Sequence, residues 1–88
     1  MPRVDCIQLN GVELLFYSCD HRPPHFHAIR RGEFNYRVFF LESRLTMLVA
    51  KHERRPMAGA SRRALFRLVE GNRAALLEEF ERKVNSDA

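Results

Sequence analysis

Long apolar runs and cysteine are both scarce in this 88-residue sequence. It has no run of about 18 apolar residues, so no transmembrane helix is expected. Its N-terminus lacks the basic-then-apolar pattern of a signal peptide, so we expect a cytoplasmic protein. Its two cysteines, Cys6 and Cys19, are too few and too far apart for a disulfide framework or a Cys-x-x-Cys motif. We expect both thiols to be reduced and to pack as small hydrophobic groups.

Lysine is also rare, because Lys51 and Lys83 are the only lysines among the 15 Lys and Arg residues. The net charge is +4, and arginine supplies most of the positive charge. Its planar guanidinium suits phosphate and carboxylate groups. A pI near 9.7 is therefore consistent with a nucleic acid or an acidic protein as partner. It is equally consistent with a solvated surface on an arginine-rich protein, and composition alone does not separate these interpretations.

The length predicts one domain over residues 1–88, which can bury about two-thirds of its unfolded surface. The apolar share of 45% is ordinary for a globular protein. We predict an α+β fold with a four- or five-stranded antiparallel sheet and two C-terminal helices packed on one face. Residues 5–50 should form the sheet, including a histidine-rich loop, and residues 61–84 the helical half.

The first hairpin is predicted from Asn10-Gly11, which separates two β-favouring runs. We expect strands at about 5–9 and 12–18, joined by a type I′ turn in which both central residues have positive φ. A further strand is expected at about 45–50, followed by a charged loop over residues 51–56.

The C-terminal half shows helical periodicity with a break in its middle. Ser61 is a suitable N-cap for the first helix. Gly71 fits the position after that helix, and Asn72 fits the cap of a second one. A single kinked helix over residues 61–84 is the alternative.

The stretch from Asp20 to Ala28 holds three of the four histidines. Its Pro-Pro pair fixes an extended, stiff loop that leads into a strand. Side chains alternate along a strand, so His25 and His27 should share one face while Phe26 lies on the other.

The second hairpin decides which face carries these histidines, and Gly32 marks its turn. Strands are expected at about 25–30 and 33–41. A two-residue turn would place His27 opposite Val38 and make the histidines part of an apolar row. They would then line the core and could carry neither catalysis nor metal binding.

A three-residue loop that ends at Gly32 is the alternative we favour. Gly32 would then take the left-handed position that closes a type I turn in a G1 bulge. This register pairs His27 with Asn35, and it places His25, His27 and Arg37 on one face. It separates polar from apolar residues more cleanly. We expect that face to carry no helix and to be open to solvent.

The motif Asp20-His21-x-Pro23-Pro24-His25-Phe26-His27 resembles the signature of a small bacterial family of unknown function. In that family a β-hairpin and a helical half follow the motif, as Gly32 and the region 64–80 suggest here. The resemblance implies a gene often adjacent to a second small gene, in an arrangement similar to toxin–antitoxin pairs. It therefore implies a small partner protein encoded nearby.

One hypothesis for the motif is metal-free ribonuclease chemistry. Two histidines can act as acid and base near neutral pH. An arginine can stabilise the charge that develops on phosphorus. The candidate catalytic residues are His25, His27 and Arg37.

A second hypothesis is metal binding. No cofactor is otherwise expected, but imidazole and carboxylate groups are ligands for a transition metal such as zinc. The candidate ligands are Asp20, His21, His25 and His27.

The third hypothesis is a binding module in which the histidines hold the loop to the sheet and the surface binds a partner protein, RNA or DNA. No membrane is expected as partner. The candidate binding residues are Asp20, His21, Lys51, His52, Arg54 and Arg55.

Overall fold

A computed structural model of the protein describes residues 2–17 and 23–84, and within them it has four strands and two helices. The strands are β1 (Glu13–Leu15), β2 (Phe26–Arg30), β3 (Phe34–Val38) and β4 (Leu48–Glu53), and the helices are α1 (Gly59–Gly71) and α2 (Arg73–Lys83). The sheet is antiparallel throughout, with the order β1-β2-β3-β4. The predicted α+β fold with a four-stranded sheet and two C-terminal helices is confirmed.

The first hairpin turns at Asn10-Gly11, as predicted. The Val12 N–H donates to the Leu9 carbonyl at 3.1 Å, and Gly11 has a φ of 77°. Among the described residues only glycines have positive φ, so Asn10 does not. A type I′ turn needs positive φ at both positions, whereas a type II turn needs it only at the second. The predicted turn type was therefore wrong.

The strand predicted at residues 5–9 is not formed. The Asp5 and Cys6 N–H groups donate to the Glu79 carboxylate, at 3.0 and 2.8 Å respectively. A backbone whose donors are bonded to a helix side chain cannot use them in a sheet ladder. The segment therefore crosses to α2 instead of extending the hairpin.

The second hairpin has the three-residue loop that was predicted, one position further along the chain. The Glu33 N–H donates to the Arg30 carbonyl at 2.9 Å, which closes a four-residue turn. Gly32 is the third residue of this turn and has a φ of 81°. The positive φ is confirmed, but Gly32 lies inside the turn and does not close a G1 bulge.

The register of this hairpin differs from the prediction by two residues. His27 lies opposite Arg37, and Asn35 lies opposite Ile29. A shift of two residues leaves every side chain on its predicted face, because strand side chains alternate with a period of two. His27 is not opposite Val38, so the alternative with a two-residue turn is excluded.

The fourth strand runs later than predicted, so part of the expected loop at 51–56 is strand. A register irregularity between Asn35 and Tyr36 places an additional residue in β4. The Tyr36 hydroxyl donates to the Glu53 carboxylate, which holds the end of β4 against β3.

The two helices are separate, and Asn72 lies between them as predicted. Helix α1 begins at Gly59 after Ala58, so Ser61 is not its N-cap. The Asn72 side chain donates to the Leu68 carbonyl at 2.8 Å. Asn72 thus satisfies the end of α1 and does not cap α2 with its side chain.

The helices pack against one face of the sheet. An aromatic group forms the centre of this core, with ring centroids 6.1–6.4 Å apart between the contacting pairs. Its members are Phe16, Phe26, Phe40 and Phe80. Leu65, Val69 and Leu76 from the helices are fully buried in the same core. We call this face, which also carries Ala28, Tyr36 and Val38, the covered face.

The described helices contain no segment with the length and apolar character needed to span a membrane.

Candidate functional site

The other face of the sheet, which we call the open face, mixes aromatic, apolar and basic side chains. Its described members are Glu13, Leu15, Tyr17, His25, His27, Ile29, Asn35, Arg37, Phe39, Val49, Lys51 and His52. Glu13 is the acidic member of this set, and its carboxylate pairs with Arg31 at 3.2 Å. Val49 is 43% exposed, and Arg37, Lys51 and His52 are exposed as well. A face with these side chains is accessible to a ligand.

His27 lies near the centre of the open face and is only 1% exposed. Its ring stacks on Tyr17, with the centroids 3.9 Å apart and the planes at 16°. Its Nδ1 is 3.2 Å from the Asn35 Oδ1. In the sheet register it lies between Leu15 and Arg37. The stacked ring and the polar contact together fix the orientation of this imidazole.

His25 lies beside His27, with the ring centroids 5.4 Å apart. Its Nδ1 donates to the Pro23 carbonyl at 2.9 Å, which sets the proton on Nδ1 because a carbonyl oxygen only accepts. Its ring also lies 4.9 Å from that of Phe39. This hydrogen bond is local, because Pro23 lies two residues before His25 in the motif.

The histidine pair faces the predicted side of the sheet, but it is not open to solvent as predicted. His25 is 7% exposed, and aromatic rings lie against both imidazoles. The two rings form the floor of the open face, and the groups a ligand meets first are their neighbours. Sequence reasoning missed Tyr17 and Phe39, although their parity with the histidines on adjacent strands was a usable signal.

The basic residues of the open face surround this floor. The Lys51 Nζ lies 5.5 Å from the Tyr17 ring centroid, within the range of a cation–π contact. Arg37 is exposed opposite His27, and His52 pairs with Asn35 in the sheet. The structure thus brings Lys51 and His52 to the predicted histidine pair and Arg37.

Arg54 and Arg55 follow β4 and lie outside the open face. Their N–H groups donate to the Glu33 carbonyl at 2.7 and 2.9 Å, which holds them at the end of the sheet near the second turn. Both side chains are exposed. Of the four basic candidates in residues 51–55, two are at the site and two are not.

Asp20 and His21 lie outside the described residues. Within the described parts of the chain, no group of three or more His, Cys, Asp or Glu side chains could hold a metal ion. The metal-ligand set that includes Asp20 and His21 therefore stays a prediction.

A second polar cluster links the N-terminal segment to α2, and sequence reasoning missed it. The Glu79 carboxylate is buried and accepts from the Asp5 and Cys6 N–H groups and from the Lys83 Nζ at 2.7 Å. Burial would raise the pKa of Glu79, but hydrogen bonds from Cys6, Lys83 and Asp5 outweigh it and lower the pKa to about 2. We call these four residues the Glu79 clamp.

The clamp also determines the chemistry of Cys6. Burial, followed by the hydrogen bond and the negative charge of Glu79, raises the pKa of the Cys6 thiol to about 12. The thiolate is the nucleophilic form of cysteine. At neutral pH Cys6 is therefore the protonated thiol and not the nucleophilic thiolate.

A third polar contact lies on the covered face. The Tyr36 hydroxyl donates to Glu53 and accepts from the Met57 N–H at 3.2 Å. Burial, then the hydrogen bond to Glu53, raises the pKa of Tyr36. Tyr36 is 2% exposed on the side opposite to the histidines. It joins β3, β4 and the start of the helical half, and it does not contribute to the open face.

The fold and these contacts define a small α+β protein whose antiparallel sheet is covered on one side and presents histidine, aromatic and basic side chains on the other. Residues 11–81 match the model of a family described as a domain of unknown function (DUF4160), and the chain belongs to that family. Comparison with curated proteins and with solved structures found no match.

Proposed function

We propose that the protein binds a single-stranded nucleic acid, with RNA as its ligand, through the open face. The observation that carries the proposal is the position of Arg37 and Lys51 beside the Tyr17–His27 stack. Proteins that bind single strands combine aromatic side chains, on which bases stack, with cations that contact the phosphates. The open face provides both within one antiparallel sheet.

The burial of the two imidazoles favours binding over catalysis. A general base must come within hydrogen-bonding distance of the proton that it removes. His27 is 1% exposed and His25 is 7% exposed, so a substrate hydroxyl does not reach them without rearrangement. The half-buried rings of Tyr17 and Phe39 and the exposed cations are the accessible groups. The histidines then act as the support on which these groups are placed.

Fluorescence anisotropy with a short labelled RNA tests this proposal. Arg37→Glu and Lys51→Glu should each weaken binding by about tenfold or more, because each replaces a phosphate contact with repulsion. Arg67→Glu is the matched control, since Arg67 is an exposed arginine on α1. It should change affinity by less than about threefold. Equal losses in all three variants, or no RNA binding by the wild type, would overturn the proposal.

Stacking and charge contribute separately and can be measured separately. Phe39→Ala removes a ring but no charge, and loss of one base–aromatic stack costs about 1–3 kcal/mol of binding free energy. The dependence of affinity on salt should then be unchanged. Arg37→Ser should instead reduce the slope of log K against log salt concentration by about 0.7, the value for one phosphate contact on a single strand.

The family resemblance supports a cellular role for this binding. We infer that the protein is the RNA-binding component of a toxin–antitoxin-like pair. Production of the chain alone in a bacterial host separates this binding module from the ribonuclease alternative. A binding module leaves RNA intact and growth unimpaired. Growth inhibition with RNA degradation, relieved by His25→Ala, would instead support the ribonuclease.

A further inference from the structure

The two edges of the sheet differ in whether they are occupied. Beside β1, the Val4 N–H donates to the Leu14 carbonyl at 2.9 Å, and the Phe16 N–H donates to the Pro2 carbonyl at 2.8 Å. The N-terminal segment thus covers that edge. At the other edge β4 is the last strand, and within the described residues no strand pairs with its outer side. An open edge of this kind is a template for another strand.

The hydrogen-bond pattern identifies which groups of β4 point outward. The Phe39 N–H donates to the Met47 carbonyl at 2.8 Å, so this pair is hydrogen-bonded across the ladder. Hydrogen-bonded and non-hydrogen-bonded pairs alternate in antiparallel sheets. Leu48 and Ala50 are the non-bonded positions in this register, and their N–H and C=O groups therefore point away from β3. They offer two donors and two acceptors, spaced about 7 Å apart along the strand.

The side chains along this edge differ between its two ends. In the turn before β4, Leu45 is 95% exposed and Leu41 is 45% exposed. Exposed cations lie at the other end, at Arg54 and Arg55. Glu53 does not offset them outward, because its carboxylate accepts from the Tyr36 hydroxyl on the covered face. The edge therefore has an apolar end and a cationic end.

We propose that β4 is the docking edge for an extended, acidic segment of a second protein, which adds to the sheet as a fifth strand. Backbone hydrogen bonds to Leu48 and Ala50 supply the pairing. Carboxylates of the incoming segment meet the cationic end, and an apolar side chain rests on the exposed leucines. This is strand addition, in which backbone bonds give affinity and side chains give specificity.

A second copy of this chain does not match the charge of the edge. Antiparallel pairing of two β4 edges through Leu48 and Ala50 would lay Arg54 and Arg55 of one copy against the Leu45 end of the other, where the cations gain no charge complement. An acidic segment instead matches the charge of the edge.

Selection from a displayed library of random short peptides tests the proposal without knowledge of the partner. The wild-type chain should enrich peptides with several Asp or Glu residues alternating with β-branched or aromatic residues. The most enriched peptide, once synthesised, should protect the Leu48 and Ala50 amides from hydrogen exchange on binding. Absence of enrichment, enrichment of non-acidic peptides, or unprotected amides would each overturn the proposal.

Two variants identify the edge as the site. Ala50→Pro removes an outward N–H and leaves the bonds to β3 in place, since proline is tolerated on an edge strand. It should weaken peptide binding by about tenfold or more. Arg54→Glu combined with Arg55→Glu should weaken peptide binding to a similar extent without any change in the backbone. This double variant tests the proposal even if Ala50→Pro does not fold. Full peptide affinity in this pair of charge reversals would refute the proposal.

Measuring RNA binding and peptide binding for each variant distinguishes the docking edge from the RNA-binding face. Arg37→Glu should abolish RNA binding and retain peptide binding, whereas Ala50→Pro should abolish peptide binding and retain RNA binding. If the selected peptide is lost in Arg37→Glu and kept in Ala50→Pro, it binds the open face and the edge proposal fails. Failure of RNA binding alone would leave the peptide result intact.

Discussion

The two faces of the sheet use aromatic residues in different ways. On the covered face, Phe16, Phe26, Phe40 and Phe80 are fully buried against one another. Phe26 and Phe40 are stacked, and the other ring contacts of this group are edge-on. On the open face, Tyr17 lies flat on His27 and is only half-buried. A fully buried ring contributes mainly to stability, because all of its surface is removed from water. A half-buried ring held by a stack keeps a surface for a ligand. The covered face therefore holds the rings that stabilise the fold, and the open face holds the accessible rings on which the proposed RNA binding depends.

The largest expected effect tests the covered face. Phe80→Ala removes the ring that joins α2 to Phe16 and Phe40, and it should lower the free energy of unfolding by about 3–5 kcal/mol. Urea denaturation measures this. The half-buried Phe39 is the matched ring on the open face, and Phe39→Ala should cost less. A near-neutral result for Phe80→Ala would mean that α2 docks elsewhere.

The Glu79 clamp gives the next effect, and it depends on pH. A pKa lowered to about 2 stabilises the folded state above the unfolded value near 4.5, and this contribution is lost as the pH falls from there towards 2. This contribution to the free energy of unfolding is about 3 kcal/mol. Glu79→Gln should therefore lower the unfolding free energy at pH 7 and flatten its acid dependence in that window.

Thermal denaturation at a series of pH values measures this dependence. Glu78→Gln is the control, because Glu78 pairs with Arg82 on the exposed side of the same helix. It should leave the acid dependence unchanged. An unaltered profile in Glu79→Gln would contradict the clamp.

Gly32 sets the register that keeps the two faces distinct, and its replacement should have a moderate effect. At a φ of 81°, alanine is strained although nothing lies within 4 Å of an added Cβ. Gly32→Ala should cost about 1–2 kcal/mol. Gly71 has equal space but lies in α1 without a positive φ, so Gly71→Ala should stabilise by about 0.4–1 kcal/mol. Chemical denaturation measures both changes in the free energy of unfolding. If both variants were destabilised or both stabilised, this account would be refuted.

The smallest effect on stability belongs to the open face. Arg37 is exposed, and among the described residues it forms no ion pair. Arg37→Ser should change the unfolding free energy by less than about 0.5 kcal/mol. The same variant should weaken RNA binding. A large loss of stability would mean that the two faces do not divide these roles.

Local patterns explain which parts of the fold were predictable. The turns at Gly11 and Gly32, the break at Asn72 and the shared face of His25 and His27 each depend on a few adjacent residues. Alternation makes a face assignment robust, so even a register error of two residues preserved it. This is why the correct face for the histidines followed from the sequence.

The errors have a common physical cause, which is contact between distant parts of the chain. The segment at 5–9 has a strand-like composition, but its Asp5 and Cys6 N–H groups donate to the Glu79 carboxylate. Glu79 lies more than 70 positions further along the chain. The burial of His27 depends on Tyr17, which the pairing of β1 with β2 brings above it. Both contacts depend on which distant segments pair, and local patterns do not specify that pairing. The spacing of Glu79 and Lys83 on one helical side was the only local trace of the clamp.

The Glu79 clamp also determines the shortest piece of this protein that can fold independently. A fragment cut to the matched region, residues 11–81, would retain every strand but lose Asp5, Cys6 and Lys83. Its remaining carboxylate would lose these donors, and the fragment would also lose the core residues Val4, Ile7 and Val84. Expression boundaries for this chain therefore belong outside residues 5–83, and a tag or truncation inside them removes the counterpart of a buried charge.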